Sequence, residues 1–347
     1  MTTHEFYMKR CIELAKNGLG TTYPNPLVGS VIVHDGKIIG EGWHKKAGKP
    51  HAEVNAVNSV KNKSLLKEAT IYVSLEPCSH FGKTPPCCDL IIANEIPNVV
   101  IGTVDPFAKV AGNGIKKLVE SGRNVTVGIL EDACNELNKR FFTFHQKQRP
   151  YIILKWAETA DGFIAPISRE EKSPIWITNQ YSRQLVHKWR TEEQAILVGT
   201  NTVLDDNPKL DARDFSGNNP IRIVLDKSGK VSKNYNVKDN SQKTIFITAT
   251  ENFSTTENCI YENVIFGKSL VHSIVSILYK YEIQSVIIEG GLKTLQSFID
   301  AGIWDEARIF NGQIKFQNGT NAPKLTGFPV NRFDIMDDQL KIIRNYD

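Results

Sequence analysis

No window of this 347-residue sequence is apolar for long enough to span a membrane, and the stretch from Met1 to Cys11 mixes acidic and basic residues without an apolar run. Neither a signal peptide nor a transmembrane helix is therefore expected, and a cytoplasmic location is the default. The chain also lacks any block of about five or six like charges. With a formal charge of only +4, it offers no basic arm for nucleic acid, although a few local Lys or Arg residues would suffice for a phosphate. Cysteine is scarce: six in all, three of them clustered at Cys78, Cys87 and Cys88. That clustering, without a secretion signal, favours metal or catalysis over a disulfide framework. Cys11, Cys134 and Cys259 are read as packing residues. Low-complexity tracts and a repeat relation between the two halves are absent too. What remains has the composition of a globular protein, 41% hydrophobic and 23% charged, at a length that suggests two domains.

The first third alternates helix and strand. Helical spacing of Phe6, Met8, Ile12 and Ala15 is ended by Asn17-Gly18. An apolar run from Val28 to Val33 turns at His34-Asp35-Gly36-Lys37 and returns from Ile38 to Gly42. His51 opens a helix; strands follow at 69–75, 99–104 and 125–128, with helices at 87–94 and 114–121. This order implies an α/β domain with a largely parallel sheet and helices on both faces. A polar stretch from about Gln146, with Pro150, marks a boundary, giving domains 1–146 and 147–347. The second domain restarts with strands at 151–155, 195–198, 221–225, 244–247, 285–288 and 306–310. Helices near 181–190, 270–281 and 292–301 separate them.

Three segments carry the chemistry: His51-Ala52-Glu53, Glu76-Pro77-Cys78 and Cys87. A catalytic zinc takes three protein ligands of imidazole and thiolate type and leaves its fourth position to water. His51, Cys78 and Cys87 supply that set. Zinc lowers the pKa of a bound water to about 7, and Glu53 lies near enough to carry protons from water to a departing amine without ligating. Cys88 or His80 could in principle close the site as a fourth ligand. Neighbouring helix residues, however, point about 100° apart, so Cys87 and Cys88 rarely reach one ion. The H-x-E and P-C elements match the signature of zinc deaminases acting on nucleobase-type rings.

Eight residues separate Cys78 from Cys87, more than in that signature. This longer loop, with Tyr23-Pro24-Asn25-Pro26-Leu27-Val28-Gly29 upstream and Asp105-Pro106 downstream, resembles the RibD family of bifunctional riboflavin-biosynthesis enzymes. The likeness continues through Leu154-Lys155, Asp161-Gly162, Trp176-Ile177-Thr178, Gly199 to Val203, Asp205 to Pro208 and Ile288 to Gly291. It implies a cytidine-deaminase-like three-layer α/β domain followed by a dihydrofolate-reductase-like α/β domain. The first would hydrolyse the ring amine of 2,5-diamino-6-ribosylamino-4(3H)-pyrimidinone 5′-phosphate. The second would reduce the ribosyl group to ribityl with NADPH. The resemblance makes His51, Cys78 and Cys87 zinc ligands, Glu53 the proton carrier, and Asn25, His44, Lys83 and Asp105 substrate contacts. A loop lysine at 83 also suits a phosphate; an exposed lysine without function remains the alternative. Phe107 stands where many members carry Asn.

In the second domain no G-x-G-x-x-G follows a strand, so the ordinary dinucleotide fingerprint is missing. Glu289-Gly290-Gly291-Leu292-Lys293-Thr294 does sit between a strand and a helix, where glycines and a helix amino terminus favour an anion; a plain tight turn stays open. By the resemblance, Ala157, Trp176, Thr202, Asp206, Gly291, Leu292, Lys293, Thr294, Leu295, Gln296 and Ser297 would hold the cofactor. Ser173, Arg190, Leu210, Arg213 and Glu289 would hold the substrate, two arginines being apt for a phosphate. Lys155 is expected to orient or protonate the ribose oxygen. The partners implied are small phosphorylated pyrimidines and a second copy of the chain, with neither membrane nor nucleic acid. Two other readings stay open on the sequence alone: a tRNA adenosine deaminase with an accessory domain, and a zinc-stabilised binding module.

Overall fold

The computed structural model describes residues 1–81, 85–106, 112–168, 175–251 and 253–346. The chain divides into two compact units, Met1–Gln148 and Arg149–Asp347.

In the first unit, helix α1 (Thr3–Lys16) starts in a capping box between Thr2 and Glu5 and buries Met8, Cys11, Ile12 and Ala15 along one face. Strands β1 (Gly29–His34) and β2 (Lys37–Trp43) form a hairpin whose turn residues Asp35 and Gly36 both have positive φ. Next come α2 (Ala52–Ser59), β3 (Thr70–Leu75), α3 (Cys87–Ala93), β4 (Asn98–Thr103), α4 (Asn113–Glu120), β5 (Asn124–Val127), α5 (Glu131–Leu137) and α6 (Lys139–Lys147). The sheet order is β2-β1-β3-β4-β5. Parallel pairing joins β3 to β4 and β4 to β5, whereas β1 is antiparallel to both its neighbours. The sheet is thus mixed rather than largely parallel. A two-residue turn forces the hairpin antiparallel, and the crossover through α2 lays β3 parallel to β2 with β1 between them. Strand alternation divides the core. Ile32, Ile71, Val73, Val99 and Ile101 pack against α2, α3 and α4 through Ala56, Val57, Ile91 and Leu118. Val31, Val33, Tyr72 and Val100 pack against α1 and α5 through Met8, Ile12, Cys134 and Leu137. This makes three layers.

The second unit contains β6 (Tyr151–Glu158), β7 (Phe163–Pro166), α7 (Gln180–Glu192), β8 (Ala195–Gly199), α8 (Thr200–Asp206), β9 (Ile221–Leu225), β10 (Thr244–Thr248) and β11 (Cys259–Asn263). It continues with α9 (Leu270–Lys280), β12 (Ser285–Gly290), α10 (Leu292–Asp300), β13 (Glu306–Asn311), β14 (Gly319–Asn321), β15 (Phe328–Ile335) and β16 (Asp338–Arg344). Nine strands follow the order β11-β10-β9-β8-β12-β6-β13-β16-β15, while β7 and β14 pair separately. Pairing is parallel from β11 to β13 and antiparallel across β16 and β15. Helices α9 and α10 cover one face through Ile274, Leu278, Leu295 and Phe298. Helix α7 packs on the opposite face through Val186 and Trp189 against Ile287 and Phe310, beside a cluster in which Val203 of α8 meets Ile196 and Val198. Lys155 and Glu289 alternate with Leu154 and Ile288, both of which face α9 and α10, so the two charged residues point towards α7. Among the described residues no helix is long and apolar enough to cross a membrane.

Candidate active sites

His51 is the N-cap of α2 and Cys87 the first residue of α3. Both helices lie on one face of the first sheet, and Cys78 follows the end of β3. These ends bring His51 Nδ1, Cys78 Sγ and Cys87 Sγ within 4.8 Å of one another. His51 Nδ1 is 3.3 Å from the Cys87 sulfur and 3.6 Å from the Cys78 sulfur. The N–H of Cys87 donates to Cys78 Sγ at 3.3 Å, so the amino terminus of α3 favours a thiolate on Cys78 more directly than on Cys87. Contact with Cys87, against the cost of burial and with help from His51, holds the Cys78 thiol down at about 4. The contact with Cys78 raises His51. One imidazole nitrogen and two sulfurs, one already acidic, fit a zinc ion of catalytic type. Neither proposed fourth donor joins them: Cys88 Sγ donates to the carbonyls of Pro77 and Gly114, and His80 is exposed.

Glu53, in the first turn of α2, is 3% exposed. Burial, then the Cys78 charge, pushes its carboxyl up to about 7, a value suited to taking and returning a proton near neutrality. His44 lies against the ligands, its ring edge-on to His51 at 5.4 Å. His44 Nδ1 donates to the Pro50 carbonyl at 3.2 Å, which leaves Nε2 to accept from Asn25 Nδ2 at 3.1 Å. Burial lowers the His44 pKa, in keeping with a neutral ring. Asp105 is 8% exposed, with its N–H donating to Glu76. Lys83 and Phe107, and Ser173 of the second unit, lie outside the described residues.

The second unit holds a cleft of about 1160 Å³ at the ends of β6, β8 and β12. Lys155, Arg190, Leu210, Arg213 and Glu289 line it, as do Ala157, Trp176, Thr202 and Asp206. Gly291 to Leu295 and Ser297 complete the wall, but Gln296 does not. Its amide is tied instead to the main chain of Lys324 and to Asp300, because the helical repeat turns this position of α10 out of the cleft. Gly291 is the N-cap of α10, and no side chain caps the helix. Arg190 lines the cleft within an ion pair. Its guanidinium meets both Glu289 oxygens, at 2.9 and 3.4 Å, and the Asp211 carbonyl at 3.0 Å. A nearby buried carboxylate takes the planar fork, whereas Arg213 pairs with Asp211 at 2.7 Å on a more exposed rim. Burial would raise the Glu289 pKa, but Arg190 and Lys155 outweigh it and hold the carboxylate at about 2. Burial lowers the Lys155 pKa, Glu289 opposing and Arg190 adding to the effect. Sequence reasoning missed Arg183, whose guanidinium sits 4.7 Å over the Trp176 ring on the cleft wall.

Two family models match the chain: the cytidine and deoxycytidylate deaminase zinc-binding region over residues 1–103, and the RibD C-terminal domain over residues 150–315. With the folds and sites above, they define a two-part enzyme, a zinc-binding deaminase followed by a reductase of dihydrofolate-reductase-like architecture. The riboflavin biosynthesis protein RibD of Aquifex aeolicus is 43% identical over 345 residues, covering 97% of this chain and 92% of that protein. The Escherichia coli protein of the same name is 36% identical over 340 residues, covering 93% and 88%. A solved diaminohydroxyphosphoribosylaminopyrimidine deaminase/5-amino-6-(5-phosphoribosylamino)uracil reductase from Thermotoga maritima matches with a TM-score of 0.90 at 39% identity over 99% of both chains. The chain belongs to the RibD family, the bifunctional deaminase/reductases of riboflavin biosynthesis. That membership accounts for the second unit, which a tRNA deaminase leaves unexplained.

Proposed function

We propose that residues 1–146 hydrolyse the ring amine of 2,5-diamino-6-ribosylamino-4(3H)-pyrimidinone 5′-phosphate and that residues 147–347 reduce the ribosyl product to ribityl with NADPH. The observation carrying the first half is the His51, Cys78 and Cys87 cluster with a buried Glu53 beside it. In this reading those three side chains hold zinc, which when bound activates a water towards attack on the ring carbon. Glu53 takes the proton of that water on its carboxylate and returns it to the departing amine nitrogen. Asn25 and His44, already bonded to each other, orient the pyrimidine; Asp105 and Lys83 serve as further contacts.

The reductase reading rests on Lys155 at the wall of a cleft also lined by the Arg190–Glu289 pair and by the uncapped start of α10. At the start of α10, Gly291, Leu292 and Lys293 offer main-chain N–H groups to the cofactor phosphates, with Thr294, Leu295, Ser297, Ala157, Trp176, Thr202 and Asp206 along the same wall. NADPH, when bound, supplies the hydride for C1′. Lys155 holds a proton at Nζ and gives it to the ribose ring oxygen as the C1′–O bond opens. Arg213 and Leu210 receive the substrate, Ser173 assists, and Arg190 keeps Glu289 in place. Self-association, suggested by the resemblance, belongs to the same proposal, and sedimentation of the purified chain measures it. The decisive assay combines zinc content with NADPH oxidation on the pyrimidine substrate. A chain free of zinc, or one oxidising no NADPH after deamination, overturns the corresponding half.

A further inference from the structure

Glu76 stands in the ligand motif without a part in the chemistry above, yet its side chain is 4% exposed and makes four bonds. Oε2 accepts the N–H groups of Asp105 at 3.3 Å and Gly112 at 3.0 Å. Oε1 accepts those of Gly114 at 2.8 Å and Ile115 at 3.3 Å. All four donors belong to the segment joining β4 to α4 or to the first turn of α4, a helix without a side-chain cap at its own N-cap, Gly112. A carboxylate from the ligand loop therefore caps a helix whose N-cap, Gly112, lies 36 residues further on. The same joint is closed sterically. A Cβ at Gly114 would lie 2.1 Å from the Pro77 carbonyl oxygen and 3.1 Å from Glu76 Oε1, and the Cys88 thiol donates to the carbonyls on both sides, Pro77 at 3.2 Å and Gly114 at 3.5 Å. Pro77 immediately precedes Cys78.

We infer that Glu76 is a positioning residue for deamination, locking the segment that carries Asp105 to the loop that carries Cys78, so that the pyrimidine meets the metal in one fixed register. The inference rests on the proposed role of Asp105 as a substrate contact. Glu76→Gln keeps the shape but turns an amide NH₂ towards two N–H donors. In the full-length, zinc-loaded chain we expect KM for the aminopyrimidine to rise about tenfold or more, with kcat, zinc content and reductase KM little changed. In an Asp105→Asn background the same change should add less than about twofold, since both act through one contact. An unchanged KM in Glu76→Gln, or an equal cost in both backgrounds, overturns the lock. An unchanged KM in Asp105→Asn alone removes the contact reading and the inference with it, a result distinct from the other two. Should Glu76→Gln fail to hold zinc, Glu76→Asp keeps the charge on a shorter arm and is expected to load zinc with a raised KM. Loss of zinc in both variants overturns the inference by making Glu76 a folding element of the ligand loop.

Discussion

Asn138 and Leu27, 111 residues apart, exchange two hydrogen bonds: the Leu27 N–H donates to Asn138 Oδ1 at 2.8 Å, and Asn138 Nδ2 donates to the Leu27 carbonyl at 2.9 Å. The amide meets the main chain of Leu27 as a neighbouring strand would, and both residues are buried. Asn138→Asp keeps an acceptor but sets a carboxylate against the Leu27 carbonyl. It should destabilise the first unit by roughly 1–3 kcal/mol and, by loosening the loop carrying Asn25, raise KM for deamination. Urea denaturation with zinc bound checks the first effect, and no change in either quantity would contradict the reading.

Glu53→Gln preserves volume and hydrogen bonding but cannot ferry a proton. Deamination should fall about a hundred- to ten-thousandfold while zinc content and NADPH oxidation on pre-deaminated substrate persist. Retention of the full rate would exclude Glu53 as the carrier.

The Glu289 carboxylate, held at about 2 in the fold, sits below its unfolded value of about 4.3. A depressed folded pKa adds stability that is complete above the unfolded value and is lost as pH falls towards the folded one. The second unit should therefore weaken between about pH 5 and 2, and Glu289→Gln should flatten that part of the profile. Arg190→Ala, which strands the buried carboxylate, should cost about 3–5 kcal/mol at neutral pH. Tryptophan fluorescence reads both, since Trp156, Trp176, Trp189 and Trp304 belong to this unit. A Glu289→Gln profile that parallels the parent's would rule out the pairing as the source.

Gly42 lets β2 touch α2. A Cβ there would lie 2.4 Å from the Ala56 nitrogen and 2.6 Å from the Ala52 carbonyl oxygen, both main-chain atoms that cannot swing aside. Gly42→Ala should push back α2, whose N-cap is His51, costing about 1–3 kcal/mol and weakening zinc retention. Dialysis against a chelator measures the latter; retention equal to the parent's would mean that the helix absorbs the shift.

What could be read from the sequence was whatever is local. His51, Glu53, Cys78 and Cys87 fall in short motifs that stand at or near the ends of elements whose periodicity is plain. The hairpin turn at Asp35-Gly36 and the central strands of both sheets were legible for the same reason. Strand β15 was not, because every residue but its last is exposed and no apolar alternation results. Helices α5 and α6 escaped as well, and the first sheet's parallel reading failed because one hairpin reverses a strand. The pairing of Arg190 with Glu289, 99 residues on, and the four donors to Glu76 depend on chain segments that only the fold brings together. No local pattern encodes them.

His51, Cys78 and Cys87 come from three separate segments, so an ion bound by them would cross-link the segments that carry Glu53 and the Glu76 joint. The cleft lined by Lys155 draws on none of these residues. On the proposed reading, metal starvation would silence the first reaction while the second stays competent. The chain would then stall at its entrance rather than midway, letting the aminated starting material accumulate instead of the half-processed sugar.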